Sequence, residues 1–114
     1  MTLQTYLNTL RETPNGIEFA DTIAVIESRY AYTPTAFQNG DVHSAAGQNA
    51  GSCKIFAFAR LNDLSEAETL ACFGRYYRED VLQHPDANDH QNIRNFIRSG
   101  WAGVAFEGVP LVPR

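Results

Sequence analysis

Four stretches of the chain place apolar residues at the three- and four-residue spacing of a single helix face, and each gives out ahead of a proline or a glycine. Leu3, Tyr6, Leu7 and Leu10 form the first stripe, which stops before Pro14. Phe19, Ile23, Ile26 and Tyr30 form the second, entered through an Asn15/Glu18 capping box and ending near Arg29. Ser65 and Glu68 cap the third, whose stripe of Leu70, Phe73, Tyr77 and Val81 is stopped by Pro85. Gly74 inside it costs about 1 kcal/mol against alanine, which points to close packing or a local break. An Asn88/Gln91 box opens the fourth, with Ile93, Phe96 and Ile97 on its face, Gly100 as C-terminal cap and Trp101 returning toward the core.

Between the helices the pattern changes. Pro34 sits among β-branched and aromatic residues from Tyr30 to Phe37, which predicts an edge strand, because proline cannot donate to a ladder. The apolar run from Cys53 to Arg60 is too short to assign by periodicity; its aromatic content favours a buried strand, with a helix as the alternative, and Val104 and Phe106 alternate as a last strand. Gln38 to Ser52 is small and polar, with Gly40, Gly47, Gly51, Asn39 and Asn49; this is predicted to be an ordered loop whose asparagines bond to backbone groups. The expectation is a helix-rich α+β single domain of about four helices and a small sheet of about three strands. Its core should contain Phe19, Ile23, Ile26, Ile55, Phe58, Leu70, Phe73, Tyr77, Ile93, Phe96, Ile97 and Trp101. The domain spans residues 1–114; Leu111 to Arg114 coincide with what thrombin leaves of its usual engineered linker, and are either a scar of it or native sequence.

Composition narrows the function classes. Hydrophobic residues make up 44% of 114 positions and charged ones 19%, enough apolar material for one packed core. No apolar run reaches the roughly 18 residues of a membrane span, and the start lacks the layout of a secretory signal. A net charge of -4 without basic blocks gives a nucleic-acid partner no electrostatic support. Two cysteines are too few for a disulfide scaffold, so Cys53 and Cys72 are expected to be buried thiols in a reducing, cytoplasmic setting.

Several residues have the chemistry for a site. Cys53, Cys72, His84 and His90 are zinc-ligand types, but their spacing lacks a short Cys-Cys pair, and neither a metal nor another cofactor is expected. A thiol such as Cys53 beside His90, oriented by Asp89 or Asn92, would make a nucleophile and base. The loop Gly47-Gln-Asn-Ala-Gly-Ser-Cys-Lys54 lets backbone amides approach an anion, but lacks the glycine-lysine-serine order of a phosphate loop. His90, Arg94 and Arg98 fall at i, i+4 and i+8, a solvated basic stripe or an anion site, with Arg75 and Arg78 on the preceding helix. His90 is placed in the first turn of the last helix, where the helix dipole disfavours a charged imidazole and suits a base or ligand contact.

The stretches Asp21-Thr22, Tyr32-Thr-Pro-Thr-Ala-Phe37 with Asn39-Gly40, Ala46 to Lys54, Leu70-Ala-Cys-Phe-Gly74, Tyr76 to Leu82, and Asp89 to Phe96 with Gly100-Trp101 together resemble the HopJ family of type III effector-like proteins. The resemblance covers nearly the whole chain. It implies no agreed reaction, cofactor or catalytic residue, and it allows export by a type III system in pathogenic relatives. By position in these motifs and by chemical type, the catalytic candidates are His90, Asp89 and Cys53. The ligand-binding candidates are Asn49, Lys54, Arg78, Asn92, Arg94 and Trp101. Ser44 and Ala50 stand where relatives are expected to be more polar, and are expected to be dispensable. Two function classes follow: a binding module for a partner protein or a small anion, and a small enzyme whose cleft lies between the glycine-asparagine loop and the last two helices.

Overall fold

The most apolar run of the chain is a helix. A computed structural model describes residues 1–114, and in it Ala50–Leu61 form α3, with Cys53, Ile55, Phe56, Ala57, Phe58 and Ala59 all buried. The strand favoured at 53–60 is therefore corrected to its helical alternative. A helix covered on nearly every side has no polar face, so its sequence loses the 3.6-residue period and reads like a buried strand. Around it pack α1 (Leu3–Glu12), α2 (Phe19–Arg29), α4 (Glu66–Ala71) and α5 (Gln91–Ser99). The Phe56 ring meets Phe37, Phe73, Phe96 and Trp101, while Phe58 meets Tyr6 and Tyr30 edge-on.

The strands are short and form two antiparallel sheets. Tyr30–Tyr32 (β1) pairs with Leu111–Pro113 (β5), and Phe37–Asn39 (β2) lies between Val42–Ser44 (β3) and Val104–Phe106 (β4). The single strand expected from Tyr30 to Phe37 is thus two, one in each sheet, and Pro34 lies in the crossing between them. The loop expected from Gln38 onward opens with the β2–β3 hairpin, turned at Gly40 with φ +61°. The architecture is α+β, with five α-helices, one π-helical turn and five strands where four helices and three strands were expected. No helix is long and apolar enough to cross a membrane.

Three helix starts and one helix interior differ from the sequence reading or refine it. The Ser65/Glu68 box is present, with Ser65 Oγ accepting from the Glu68 amide at 3.1 Å and Glu68 Oε1 from the Ser65 amide at 2.8 Å. At α2 the box is made by Glu18 and Asp21 instead of Asn15 and Glu18. At α5 the cap is His90; Gln91 donates to the Asn88 carbonyl, and no Asn88 side-chain cap forms. The third predicted helix is broken: α4 ends at Ala71, and after a turn Tyr76–Val81 continue as a π-helix. Of the predicted core, Ile97 is exposed, Phe19, Ile23, Tyr77 and Trp101 are half-buried, and the rest are buried.

The break sits at Gly74, which takes φ +61°. A Cβ there would lie 2.6 Å from the Phe19 nitrogen and 3.0 Å from Glu18 backbone atoms, so the start of α2 is seated directly on this glycine. Backbone on both sides leaves nothing flexible to move aside. Gly74→Ala should lower stability by about 2–4 kcal/mol, the combined order of a left-handed residue and an overpacked contact. Urea unfolding followed by circular dichroism measures it; a midpoint equal to that of the wild type would contradict this packing.

Candidate functional site

A buried helix must still satisfy the amides of its first turn, and α3 has no side chain at its N-terminus to do so. Its cap, Asn49, adopts a left-handed conformation (φ 52°) and turns its Nδ2 back to Ser44 Oγ at 2.8 Å. The start of α5 has the same form: His90 is the cap, left-handed at φ 50°, again without a side-chain cap bond. Both helix starts open on one cavity of about 470 Å³. Gly51 and Ser52 line it from α3, Gln91, Asn92 and Ile93 from α5, and the amides of Gly51, Ser52, Gln91 and Asn92 have no acceptor within the protein. Two positive helix ends thus face the same space, and no lysine, arginine, aspartate or glutamate lines it.

Asn92 adds a donor whose orientation is fixed. Its side chain is only 6% exposed, and its Oδ1 and backbone carbonyl both accept from Asn39 Nδ2, at 3.0 and 2.8 Å. Because that backbone partner can only accept, Asn39 must present its NH₂ there, and Asn92 must meet it with oxygen. Asn92 Nδ2 is left without a protein partner at a residue lining the cavity. The arrangement leaves Asn39 Oδ1 buried and unpaired, a cost of about 1–3 kcal/mol.

The far wall is aromatic. Phe19 and Tyr76 lie 5.0 Å apart, and the His90 ring stacks on Tyr76 at 5.0 Å and 27°. Gly51 lets Phe19 approach: a Cβ at 51 would meet its ring at 2.9 Å. His90 Nε2 lies 3.0 Å from Asp80 Oδ2 and 3.9 Å from Asp89 Oδ2. The carboxylate nearest the ring is Asp80, on the π-helical turn, and the adjacent Asp89 is turned toward Arg94.

The arginines hold this geometry without entering the cavity. Arg94, 7% exposed, donates to the carbonyls of Asp80, His84, Pro85 and Asp89 and to Asp89 Oδ1, the last at 2.6 Å. It ties the segment that carries Asp80 and Asp89 onto α5. The Arg94 hydrogen bond also holds the Asp89 carboxyl below the usual carboxylate range. Arg78 donates to the Ile17 carbonyl at 2.6 Å and to Glu18 Oε1 at 3.0 Å, fixing the approach to α2.

Comparison with known proteins gives the lineage of this fold. Residues 3–111 match the model of the HopJ type III effector protein family. The chain belongs to the HopJ family. A crystal structure of VPA0580, a protein of unknown function, superposes with a TM-score of 0.98 at 56% identity, over 100% of this chain and 95% of that one. No curated protein matches.

Of the candidate residues in this HopJ chain, Asn49, His90 and Asn92 meet at the cavity. Asp89, Arg78 and Arg94 stand behind it. Lys54 lies over the Tyr32 ring at 4.7 Å, and Trp101 packs between Phe96 and Arg60. Ser44, expected to be dispensable, is buried and bonded to Asn49. Tyr76 and Asp80 had no spacing signal to mark them; Phe19 was legible only as a core residue of its helix stripe, and Gly51, Ser52 and Gln91 only as loop and cap residues. Cys53, Cys72, His84 and His90 do not come together; the side chains that bring three ligand atoms within 4.8 Å are Asp80, Asp89 and His90.

The two thiols are free and buried, Cys53 with its Sγ 3.7 Å from the Thr35 carbonyl and Cys72 at the C-terminal end of α4, its Sγ 3.3 Å from the Glu68 carbonyl. Burial pushes the Cys53 thiol up to about 11 and the Cys72 thiol up to about 12. Both should stay protonated and out of reach in the native protein. Incubation with a thiol-reactive disulfide at pH 8 should therefore release no chromophore until denaturant is added. Rapid labelling of one thiol in the folded protein would return Cys53 to the list of nucleophiles.

Proposed function

We propose that this chain is a binding module that takes a small molecule carrying an anionic group, seated between the first turns of α3 and α5. The supporting observation is the convergence of two uncapped helix N-termini, together with Asn92 Nδ2, on one cavity. Unsatisfied amides around a concave space bind a carboxylate or phosphate through hydrogen bonds and dipole together, with no need for a cationic side chain. The half-apolar lining, with Phe19, Phe73 and Tyr76, suits a ligand that has an aromatic or aliphatic body. A small ligand fits better than a partner protein, because the loop residues and His90 meet in a concavity and not on a flat apolar patch. Two unpaired thiols fit a reducing compartment such as the cytoplasm.

A second reading is an enzyme, and the His90–Asp80 pair at 3.0 Å favours it, since a carboxylate-oriented imidazole beside amide donors is the arrangement that acid–base chemistry needs.

The binding reading is tested by titrating ¹⁵N-labelled protein with 3-phenylpropanoate and with its uncharged amide. The amides of Gly51, Ser52, Gln91 and Asn92 should shift with the carboxylate and stay still with the amide. Asn92→Asp keeps the acceptor that Asn39 needs and puts a negative charge at the start of α5, where it stabilises the helix. The variant should hold or raise the unfolding midpoint while weakening carboxylate binding by roughly tenfold or more. Equal shifts with both probes, or an Asn92→Asp protein that binds as tightly, would contradict the proposal.

A further inference from the structure

The imidazole in the cavity specifies more about the ligand than its charge. Asp80 Oδ2 lies 3.0 Å from His90 Nε2, and an ionised carboxylate can only accept. In the neutral ring the proton is therefore drawn to Nε2, and Nδ1 keeps a lone pair that no protein group uses. The ring cannot turn freely to spend that lone pair elsewhere. It stacks on Tyr76, its backbone is fixed at φ 50° by the start of α5, and Asp80 is carried on the π-helical turn that Arg94 ties to the same helix. A π-helical turn widens the helix by one residue, and such turns recur at functional sites.

We propose that the ligand is a hydroxy acid with an apolar body: its carboxylate at the amides of α3 and α5, its hydroxyl donating to His90 Nδ1, and its body against Phe19 and Tyr76. This inference rests on the anion-binding reading given above and narrows it. A hydroxyl is favoured over an ammonium as the donor because two positive helix ends face the cavity and disfavour a cation beside them. His90 is then a ligand-binding residue. Asp80 is a positioning residue that acts through it, by fixing which ring nitrogen is free.

The test compares 3-phenyllactate with 3-phenylpropanoate, which differ only in the hydroxyl, by amide-shift titration of the full chain. In the wild type, 3-phenyllactate should bind roughly tenfold more tightly, the order of one added hydrogen bond to a site that would otherwise lack it. In Asp80→Ala and in His90→Phe the ratio of the two dissociation constants should fall to about one. A ratio is read because it is insensitive to general loss of affinity. Should either variant fail to fold, ¹⁵N spectra of the histidine rings in the wild type decide the same point: His90 should be the Nε2–H tautomer, with Nδ1 shifting on addition of 3-phenyllactate and not of 3-phenylpropanoate. A wild-type ratio of one, an Nδ1–H tautomer, or a ratio that survives Asp80→Ala overturns the hydroxy-acid inference while leaving anion binding intact. Failure of both probes to bind overturns the two together.

Discussion

The burial of α3 is the constraint from which the rest follows. Its side chains fill the space between α1, α2, α4, α5 and the two sheets, so the helix is interior along most of its length. An interior helix cannot leave its first amides dry without a cost of about 1–3 kcal/mol each. With Asn49 turned away toward Ser44, those amides need either solvent or a ligand, and a cavity at the end of the helix is the structural answer. That α5 ends its approach at the same place, with the same left-handed cap, converts a local requirement into a two-sided site.

What keeps the two helix starts opposed is a set of buried polar ties. The Asn39–Asn92 pair joins the middle strand of the three-stranded sheet to α5, and Asn95 Nδ2 donates back to the Asn39 carbonyl at 3.2 Å. On the other side Tyr6, Thr22 and Cys72 form a chain from α1 through α2 to the end of α4. Thr22 donates to the Cys72 carbonyl at 2.8 Å, so the Tyr6 hydroxyl, 2.6 Å away, donates to Thr22. Removing one member of either chain would strand a buried polar group; the first chain reaches the cavity at Asn92, and the second acts on its geometry from outside.

The amphipathic parts of this fold are legible in the sequence. The α1 stripe, the Ser65/Glu68 cap and the short strand at Val104 carry their period or their cap chemistry in a few adjacent residues. The parts that are not legible depend on three-dimensional surroundings. α3 hides its period because it is covered on nearly every side; Gly74 marked close packing or a break in the third helix stripe, but only the contact with Glu18 and Phe19 shows what it packs against. Within the site, Asn49, His90 and Asn92 stood out by type and by helix position. Asp80 and Tyr76 did not, since the turn that brings them to His90 is closed by Arg94, whose hydrogen bonds to four carbonyls no spacing rule foretells. The basic stripe expected from Arg94 and Arg98 is likewise half interior, because a planar guanidinium satisfies several carbonyls at once.

HopJ membership fixes the lineage, and the solved protein of unknown function shares the fold over 95% of its own length. The central physical claim is that the amides of α3 and α5 act as one anion seat. A crystal of this protein soaked in selenate, with the anomalous signal of selenium recorded, tests it most directly. A selenium peak is expected in the cavity, with selenate oxygens about 3 Å from the amide nitrogens of both Ser52 and Asn92. A cavity without an anomalous peak, in a crystal whose surface sites are occupied by selenate, would contradict it.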